Sequence, residues 1–177
     1  DRCTGLLSMP EFLPANYLVN GHGYGAAFSP DSKRLYVVRG ALKRLEQYDL
    51  TATNIELTKT TVAVWDGAAD TLMPSGSLYS TFFSYFQHGP DGRLYNWAGG
   101  SRYMHVVNFP NRIGTASEVK QRGLRLLNYT TGANAYYPNY RLGPVDGSAC
   151  DTLGIDNMPV ALFRHDWEDS SLVLQRT

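Results

Sequence analysis

The sequence predicts an all-β protein, a partial β-propeller-like array of antiparallel four-stranded blades. The first observation is an internal repeat, because Ala27–Val38 and Phe86–Trp97 share a Pro-Asp turn followed by Arg-Leu-Tyr, about 60 positions apart. The second is composition, since 12 Tyr, 7 Phe, 17 Gly and 9 Pro suit short strands joined by tight turns. One small antiparallel unit cannot bury both of its faces alone, so neighbouring copies are expected to pack against each other.

The first copy supplies the first predicted blade. Its Pro-Asp turn joins two strands, because Pro fixes φ and the Asp side chain bonds the local backbone. A third strand is predicted over Lys43–Leu50, half buried at best, and a fourth over Ile55–Trp65, where β-branched residues favour an extended chain. Asp66-Gly67 then gives a turn signal. We therefore expect one four-stranded sheet over residues 22–66.

The second copy supplies a second blade over residues 80–127. Its later strands are predicted at Leu94–Trp97, Tyr103–Val107 and Val119–Leu127. Between the blades, Ala68–Ser77 is polar and contains Gly and Pro, which predicts an exposed surface loop. The two sheets are expected to pack face to face.

Length predicts an incomplete ring. A propeller has at least about four blades of about 40–50 residues each, whereas 177 residues hold about three. Residues 1–20 are interpreted as the end of an earlier blade, so residues 1–158 form the propeller-like domain. Residues 159–177 begin a following domain or a linker. We expect the terminal strands to pair with polypeptide outside residues 1–177, either the rest of the same protein or another subunit.

Charge and apolar patterning argue against two partner classes. Lys plus Arg and Asp plus Glu are both 16, so no net field favours nucleic acid. No apolar run reaches the roughly 18 residues of a membrane span. The two cysteines, Cys3 and Cys150, lie near opposite ends of the chain and fit either one disulfide or two buried thiols.

No catalytic constellation stands out in the sequence. Ser117 and Ser148 lack the frame of a nucleophile elbow, and His105 lies mid-strand, where a hydrogen-bonded structural role is the simpler interpretation. Three carboxylates and an amide could surround a calcium ion, although turn formation explains them equally well: Asp146, Asp151, Asp156 and Asn157. We therefore predict no enzymatic cofactor. The alternative is a propeller-type hydrolase or lactonase with a divalent metal at the blade mouths, held by acids such as Asp49, Asp146 or Asp156.

Aromatic side chains suggest a second possible role. Exposed rings can stack on sugars, which makes a glycan ligand possible, whereas most propeller aromatics fill the space between blades. The candidate rings are Trp65, Tyr79, Tyr85, Trp97, Tyr103, Tyr136 and Tyr137.

Several motifs together resemble a family of large exported proteins of Bacteroidota. They are Asp1-Arg2-Cys3-Thr4-Gly5, Ala27–Ser32, Gln47–Leu50, Gly89–Tyr95, His105–Asn108 with Pro110, and Asn139–Asp151, which is the most distinctive. These proteins resemble propeller-type modules followed by a PKD-like sandwich and a type IX secretion signal. The resemblance covers nearly the whole chain.

The resemblance implies secretion or cell-surface location, a Cys3–Cys150 disulfide, and a PKD-like domain starting near Phe163. It implies no reaction. We therefore predict a non-enzymatic scaffold or recognition module of an exported cell-surface protein, whose ligand is a glycan or a protein. Asp70-Thr71-Leu72 and Asp151-Thr152-Leu153 both resemble the O-glycosylation tripeptide of exported Bacteroidota proteins. Thr71 is the better candidate because its loop is predicted to be exposed, whereas Thr152 follows Cys150 of the implied disulfide.

Overall fold

The computed structural model describes residues 23–40, 43–72 and 75–129, and two short strands at 163–165 and 172–174. The chain divides into two compact units, Leu13–Ala135 and a second formed by Asp1–Phe12 with Tyr136–Thr177. In the second unit, β11 (Phe163–His165) and β12 (Leu172–Leu174) form an antiparallel hairpin. The predicted boundary at residue 158 lies outside the described residues.

The first unit contains two antiparallel four-stranded sheets, as predicted. Neighbouring strands follow chain order in both sheets. The first sheet comprises β1 (Gly23–Phe28), β2 (Arg34–Arg39), β3 (Arg44–Asp49) and β4 (Thr60–Val64). The second comprises β7 (Phe83–His88), β8 (Leu94–Ala98), β9 (Tyr103–Val107) and β10 (Val119–Arg125). The two four-stranded antiparallel sheets and the all-β class are therefore confirmed, and each sheet lies within its predicted range.

Two predicted segments differ from the structure. The loop predicted at Ala68–Ser77 is wrong, because β5 (Ala69–Leu72) pairs with β6 (Ser77–Ser80) as a two-stranded hairpin. The fourth strand is shorter than predicted, since the chain makes a 3₁₀ turn at Glu56–Thr58 before β4 begins. Periodicity alone does not reveal either change, because both segments are short and polar.

The Pro-Asp turns differ in length by one residue. In the first copy the Ser29 N–H donates to the Arg34 carbonyl oxygen at 2.8 Å. In the second copy the Gly89 N–H donates to the Arg93 carbonyl oxygen at 2.9 Å, with one residue fewer between donor and acceptor. These bonds close both turns at the arginine that precedes the repeated Leu-Tyr pair. The two Leu-Tyr pairs therefore occupy equivalent places in their sheets.

The equivalent pairs face the contact between the sheets from opposite sides. Tyr36 is fully buried there, and its hydroxyl donates to the Pro110 carbonyl oxygen of the second sheet at 2.9 Å. In the second sheet it is Leu94 that joins the shared core, whereas Leu35 and Tyr95 are only half-buried on the outer faces. The front of the first sheet therefore packs on the back of the second.

The core between the sheets is apolar, with contributions from both. It consists of Tyr36, Val38, Leu45, Val62, Phe83, Phe86, Leu94 and Val107. The first strands of the two sheets approach closely at Gly25, where a Cβ atom would meet the Ser84 carbonyl oxygen at 2.9 Å. A larger side chain at this position would push the sheets apart, so glycine is required for the packing.

The third strand of the first sheet is more deeply buried than predicted. All four of its central residues are buried, Leu45, Glu46, Gln47 and Tyr48. The Glu46 carboxylate accepts hydrogen bonds from Arg39 Nε and Arg44 Nε, both at 2.9 Å. Because two guanidinium groups compensate this charge, both faces of the strand can be covered. The prediction of a strand half buried at best is therefore wrong.

Candidate ligand-binding surface

Three connections meet at one end of the two sheets. Because consecutive strands are antiparallel, the β7–β8 turn and the β9–β10 loop emerge at the same end of the second sheet, and the hydrogen bond between Asn111 and Asp31 places the β1–β2 turn beside them. Between them lies an open depression of about 400 Å³, which we call the turn-end depression. Its lining residues are Pro30, Asp91, Gly92, Asn108, Phe109, Pro110, Asn111 and Arg112. This volume lies at the small end of the range of ligand sites.

The two Pro-Asp turns are fixed by their aspartates. Asp31 Oδ1 accepts the Lys33 N–H at 3.1 Å, and Asp91 Oδ1 accepts the Arg93 N–H at 3.2 Å. Asp91 also accepts the Tyr95 hydroxyl hydrogen at 2.8 Å, and burial together with this bond raises the pKa of Tyr95. Tyr95 therefore stays a donor, and Asp91 stays in place at the rim.

Buried polar side chains of the first sheet hold the β9–β10 loop. Gln47 Nε2 donates to the Arg112 carbonyl oxygen at 2.8 Å, and Gln47 Oε1 accepts the Gly114 N–H at 2.7 Å. The same Gln47 amide donates to the Tyr36 hydroxyl, which bonds the Pro110 carbonyl oxygen. One buried network thus fixes three backbone positions of the loop, and its exposed side chains project from a rigid base.

Phe109 and Arg112 form the most prominent part of this surface. Phe109 is 39% exposed, and the Arg112 guanidinium carbon lies 4.0 Å from its ring centroid. Among the arginine side chains that the structure describes, six are paired with carboxylates. Within the same residues Arg125 has no acidic partner, and neither has Arg112. Its N–H donors are therefore available to a ligand.

Two asparagines and one aspartate complete the polar lining. Asn111 Oδ1 accepts the Asp31 N–H at 3.3 Å, which ties the loop to the first Pro-Asp turn. Within the described part of the chain, the Asn108 side chain has no hydrogen-bond partner. Asp91 lies near Arg93, at 3.5 Å between carboxylate and guanidinium, and both are well exposed. The depression therefore offers donors and acceptors on a loop whose backbone is anchored, a lining suited to binding.

The sequence-predicted site residues are distributed differently. Cys3, Cys150 and the carboxylates Asp146, Asp151 and Asp156 lie outside the described residues, so the disulfide and the calcium site remain predictions. Within residues 23–40, 43–72 and 75–129, no three His, Cys, Asp or Glu side chains group as metal ligands. Asp49 is held by Thr51 and by Arg34 at 2.6 Å, and the hydrogen bonds from Thr51 are the main cause of its lowered pKa.

Thr71 lies in a strand rather than in an exposed loop. It is half-buried in β5, and its carbonyl oxygen accepts a hydrogen bond from Tyr129. The neighbouring Asp70 is 6% exposed and bonds Arg102, with Nη2 to Oδ1 at 2.9 Å. The expected exposure of Thr71 is therefore wrong, although its glycosylation stays a prediction.

His105 fills a structural role in the second sheet, as the sequence indicates. It is fully buried, and its Nδ1 accepts the Arg122 N–H at 3.1 Å. Nε2 therefore carries the hydrogen and donates to the Thr81 carbonyl oxygen at 2.8 Å. Burial lowers the pKa of His105 to about 4, so the imidazole is neutral at pH 7.

The predicted aromatic platform is dispersed over several elements. Trp65 is half-buried under the Lys43 ammonium, which lies 4.6 Å from its ring, and it packs against the core. Tyr79 and Tyr85 are exposed on β6 and β7, while Tyr136 and Tyr137 lie outside the described residues. Trp97 and Tyr103 are half-buried in β8 and β9. None of the described rings lines the turn-end depression.

The residues that sequence reasoning missed are Phe109, Asn111 and Arg112. Asn108 and Pro110 enter the sequence-based predictions only through the resemblance to exported proteins, yet Asn108-Phe109-Pro110-Asn111 is a turn-forming run that carries an aromatic ring. An aromatic residue within such a turn-forming run could have indicated this surface from the sequence, because exposed loop tips commonly carry binding residues.

Comparison with known proteins gives no relative. No protein-family model matches the chain, and no curated protein or solved structure is significantly similar to it. None of the helical segments that the structure describes has the length and apolar character to cross a membrane. The resemblance to exported Bacteroidota proteins stays a prediction.

Proposed function

We propose that the chain is a non-enzymatic recognition or scaffold module of an exported cell-surface protein, and that its two large sheets are neighbouring blades of a propeller-like array. The observation that carries the proposal is the front-to-back packing of the two repeats. A stack of this kind continues in one direction from sheet to sheet, as blades do around a propeller axis. A two-fold sandwich would instead bring the same faces together.

The turn-end depression supports a recognition role. Gln47 and Tyr36 are buried polar side chains that bond backbone groups of an exposed loop. Such preorganisation lowers the entropy cost of binding, because the loop is already ordered before a ligand arrives. The partners are a glycan or protein ligand and the remaining domains of a longer protein or surface assembly.

Surface labelling of intact source cells tests the export part of the proposal. A membrane-impermeant amine-reactive biotin reagent is applied before lysis, and the protein is captured on streptavidin and sized by mass spectrometry. We expect labelling on intact cells, and a parent polypeptide longer than 177 residues. Labelling only after lysis, in parallel with a cytoplasmic marker, would contradict export.

A further inference from the structure

The turn-end depression combines four kinds of group on one small surface: a guanidinium, a carboxylate, amides and an aromatic ring. Arg112 supplies N–H donors that no carboxylate of the described residues occupies, and Asp91 supplies carboxylate lone pairs beyond those used by Tyr95 and the Arg93 N–H. Asn108 and Asn111 add amides that both donate and accept. Phe109 adds an aromatic ring with 39% of its surface exposed.

We propose that the turn-end depression binds a neutral saccharide of one or two rings. The proposal rests on the recognition function above and adds the chemical class of the ligand. A sugar ring presents hydroxyl groups, each of which donates and accepts, around faces made of C–H groups. It therefore matches amide, carboxylate and guanidinium groups beside an aromatic ring.

The charge pattern disfavours ligands with one dominant charge. Asp91 lines the depression and Asp31 lies on the adjoining turn, so a strongly anionic ligand would meet carboxylates as well as Arg112. A cation would meet the Arg112 guanidinium. Because the lining holds one group of each sign, a neutral polar ligand can use both as hydrogen-bond partners without an unpaired charge.

The size and rigidity of the surface fit the same ligand. The volume of about 400 Å³ and the open shape accommodate a sugar at the end or in the middle of a longer chain. Phe109, Arg112 and their neighbours keep their backbone positions through the Phe109 N–H to Ser117 bond at 2.9 Å and the Gln47 network. The side chains of Phe109 and Arg112 are not part of these anchors.

Saturation-transfer NMR and titration calorimetry on the full chain test the proposal. The probes are neutral disaccharides of glucose, galactose, mannose and N-acetylglucosamine, with a uronic-acid disaccharide and an acidic peptide as comparisons. We expect at least one neutral disaccharide to bind. Phe109→Ala and Arg112→Ala should each weaken it about tenfold, because each removes one principal contact.

The matched control is Ile113→Ala, because Ile113 is 59% exposed in the same loop and does not line the depression. It should leave the affinity unchanged, and equal melting temperatures for all variants confirm that they are folded.

Saccharide binding that both Phe109→Ala and Arg112→Ala leave intact would overturn the site. Binding of the acidic peptide alone, lost in Arg112→Ala, would overturn the saccharide class while preserving a recognition function. Binding of no probe would overturn the saccharide proposal, and surface labelling would still decide the export proposal separately.

Discussion

The two large sheets place a buried polar side chain at the equivalent position of the third strand and satisfy it in different ways. Glu46 pairs with Val37, and His105 pairs with Asn96, and both partners lie two residues after the repeated leucine. Glu46 is compensated by two guanidinium groups, whereas His105 is neutral and bonds backbone groups. The repeat therefore conserves a place in the sheet rather than a chemical group.

This difference follows from what surrounds each position. His105 faces the packed contact between the sheets, where its ring lies 4.7 Å from that of Phe83 and where a charge would be costly. Glu46 lies on the opposite face of its own sheet, next to the half-buried Arg39 and Arg44. The buried charge of Glu46 is tolerated because it is paired with arginines. The second sheet has no buried charge at the equivalent position, because the His105 ring is neutral.

Removing the charge of Glu46 should have the largest effect on stability. Glu46→Gln keeps the side-chain shape but leaves Arg39 and Arg44 without a buried anion. We expect the free energy of unfolding to fall by about 3–5 kcal/mol, the usual cost of breaking a buried ion pair from one side. Urea unfolding followed by tryptophan fluorescence measures the change.

Glu56→Gln is the matched control, since Glu56 is exposed in the 3₁₀ turn before β4. It should change stability by less than about 0.5 kcal/mol, as is usual for surface positions. If Glu46→Gln were as mild as this control, the two arginines would be solvated despite the burial of Glu46, and the contrast between the sheets would disappear.

His105 should produce the next largest effect, as a dependence of stability on pH. Its pKa is about 4 when folded and about 6.5 when unfolded, so the unfolded chain takes up the proton first as pH falls. Titration of His105 therefore costs no stability above pH about 6.5, and it lowers the free energy of unfolding progressively as the pH falls from about 6.5 to about 4. The total loss from this group is about 3 kcal/mol, at 1.36 kcal/mol per pH unit.

Urea unfolding at intervals from pH 7 to pH 4 measures this slope in the native chain and in His105→Gln. The variant removes the titration and retains amide hydrogen bonding, so most of the slope should vanish. His88→Gln is the comparison, because desolvation also lowers the pKa of His88. The carboxylates with lowered pKa values, such as Asp66 at about 2, lose their contribution at lower pH. An unchanged slope in His105→Gln would show that another group is responsible.

The sequence predicted the sheets because their signals are local and repeated. Pro90-Asp91-Gly92 and its earlier copy mark both turns, and Leu94-Tyr95 marks the strand that follows. It could not predict the burial of Glu46, because neutralisation by Arg39 and Arg44 requires the register of two strands. Nor could it predict the hairpin β5–β6, since a short polar strand has no distinctive periodicity.

The candidate site was predictable only in part for a related reason. The depression arises where Asn108–Arg112 of one repeat approaches Pro30 and Asp31 of the other. Such proximity is set by the packing of the sheets, through Tyr36 and Gln47, and local sequence does not encode it. The number of aromatic residues therefore suggested sugar binding by stacking, yet the ring that lines the depression is Phe109, which was not among the candidate rings.

The smallest expected effect on stability comes from a substitution in the second Pro-Asp turn. Ser32 and Gly92 each donate an N–H to the residue three positions earlier, and each has a left-handed φ, of 58° and 75°. A Cβ at Gly92 would meet nothing within 4 Å, so Gly92→Ala changes backbone conformational energy alone. We expect a loss of about 1 kcal/mol, because an L side chain is strained in this region. Gly99→Ala is the control, since Gly99 has no left-handed φ and ordinary contact space. Urea midpoints at an unchanged m-value measure both, and a Gly92→Ala variant as stable as the native chain would show that this turn relaxes out of the left-handed conformation.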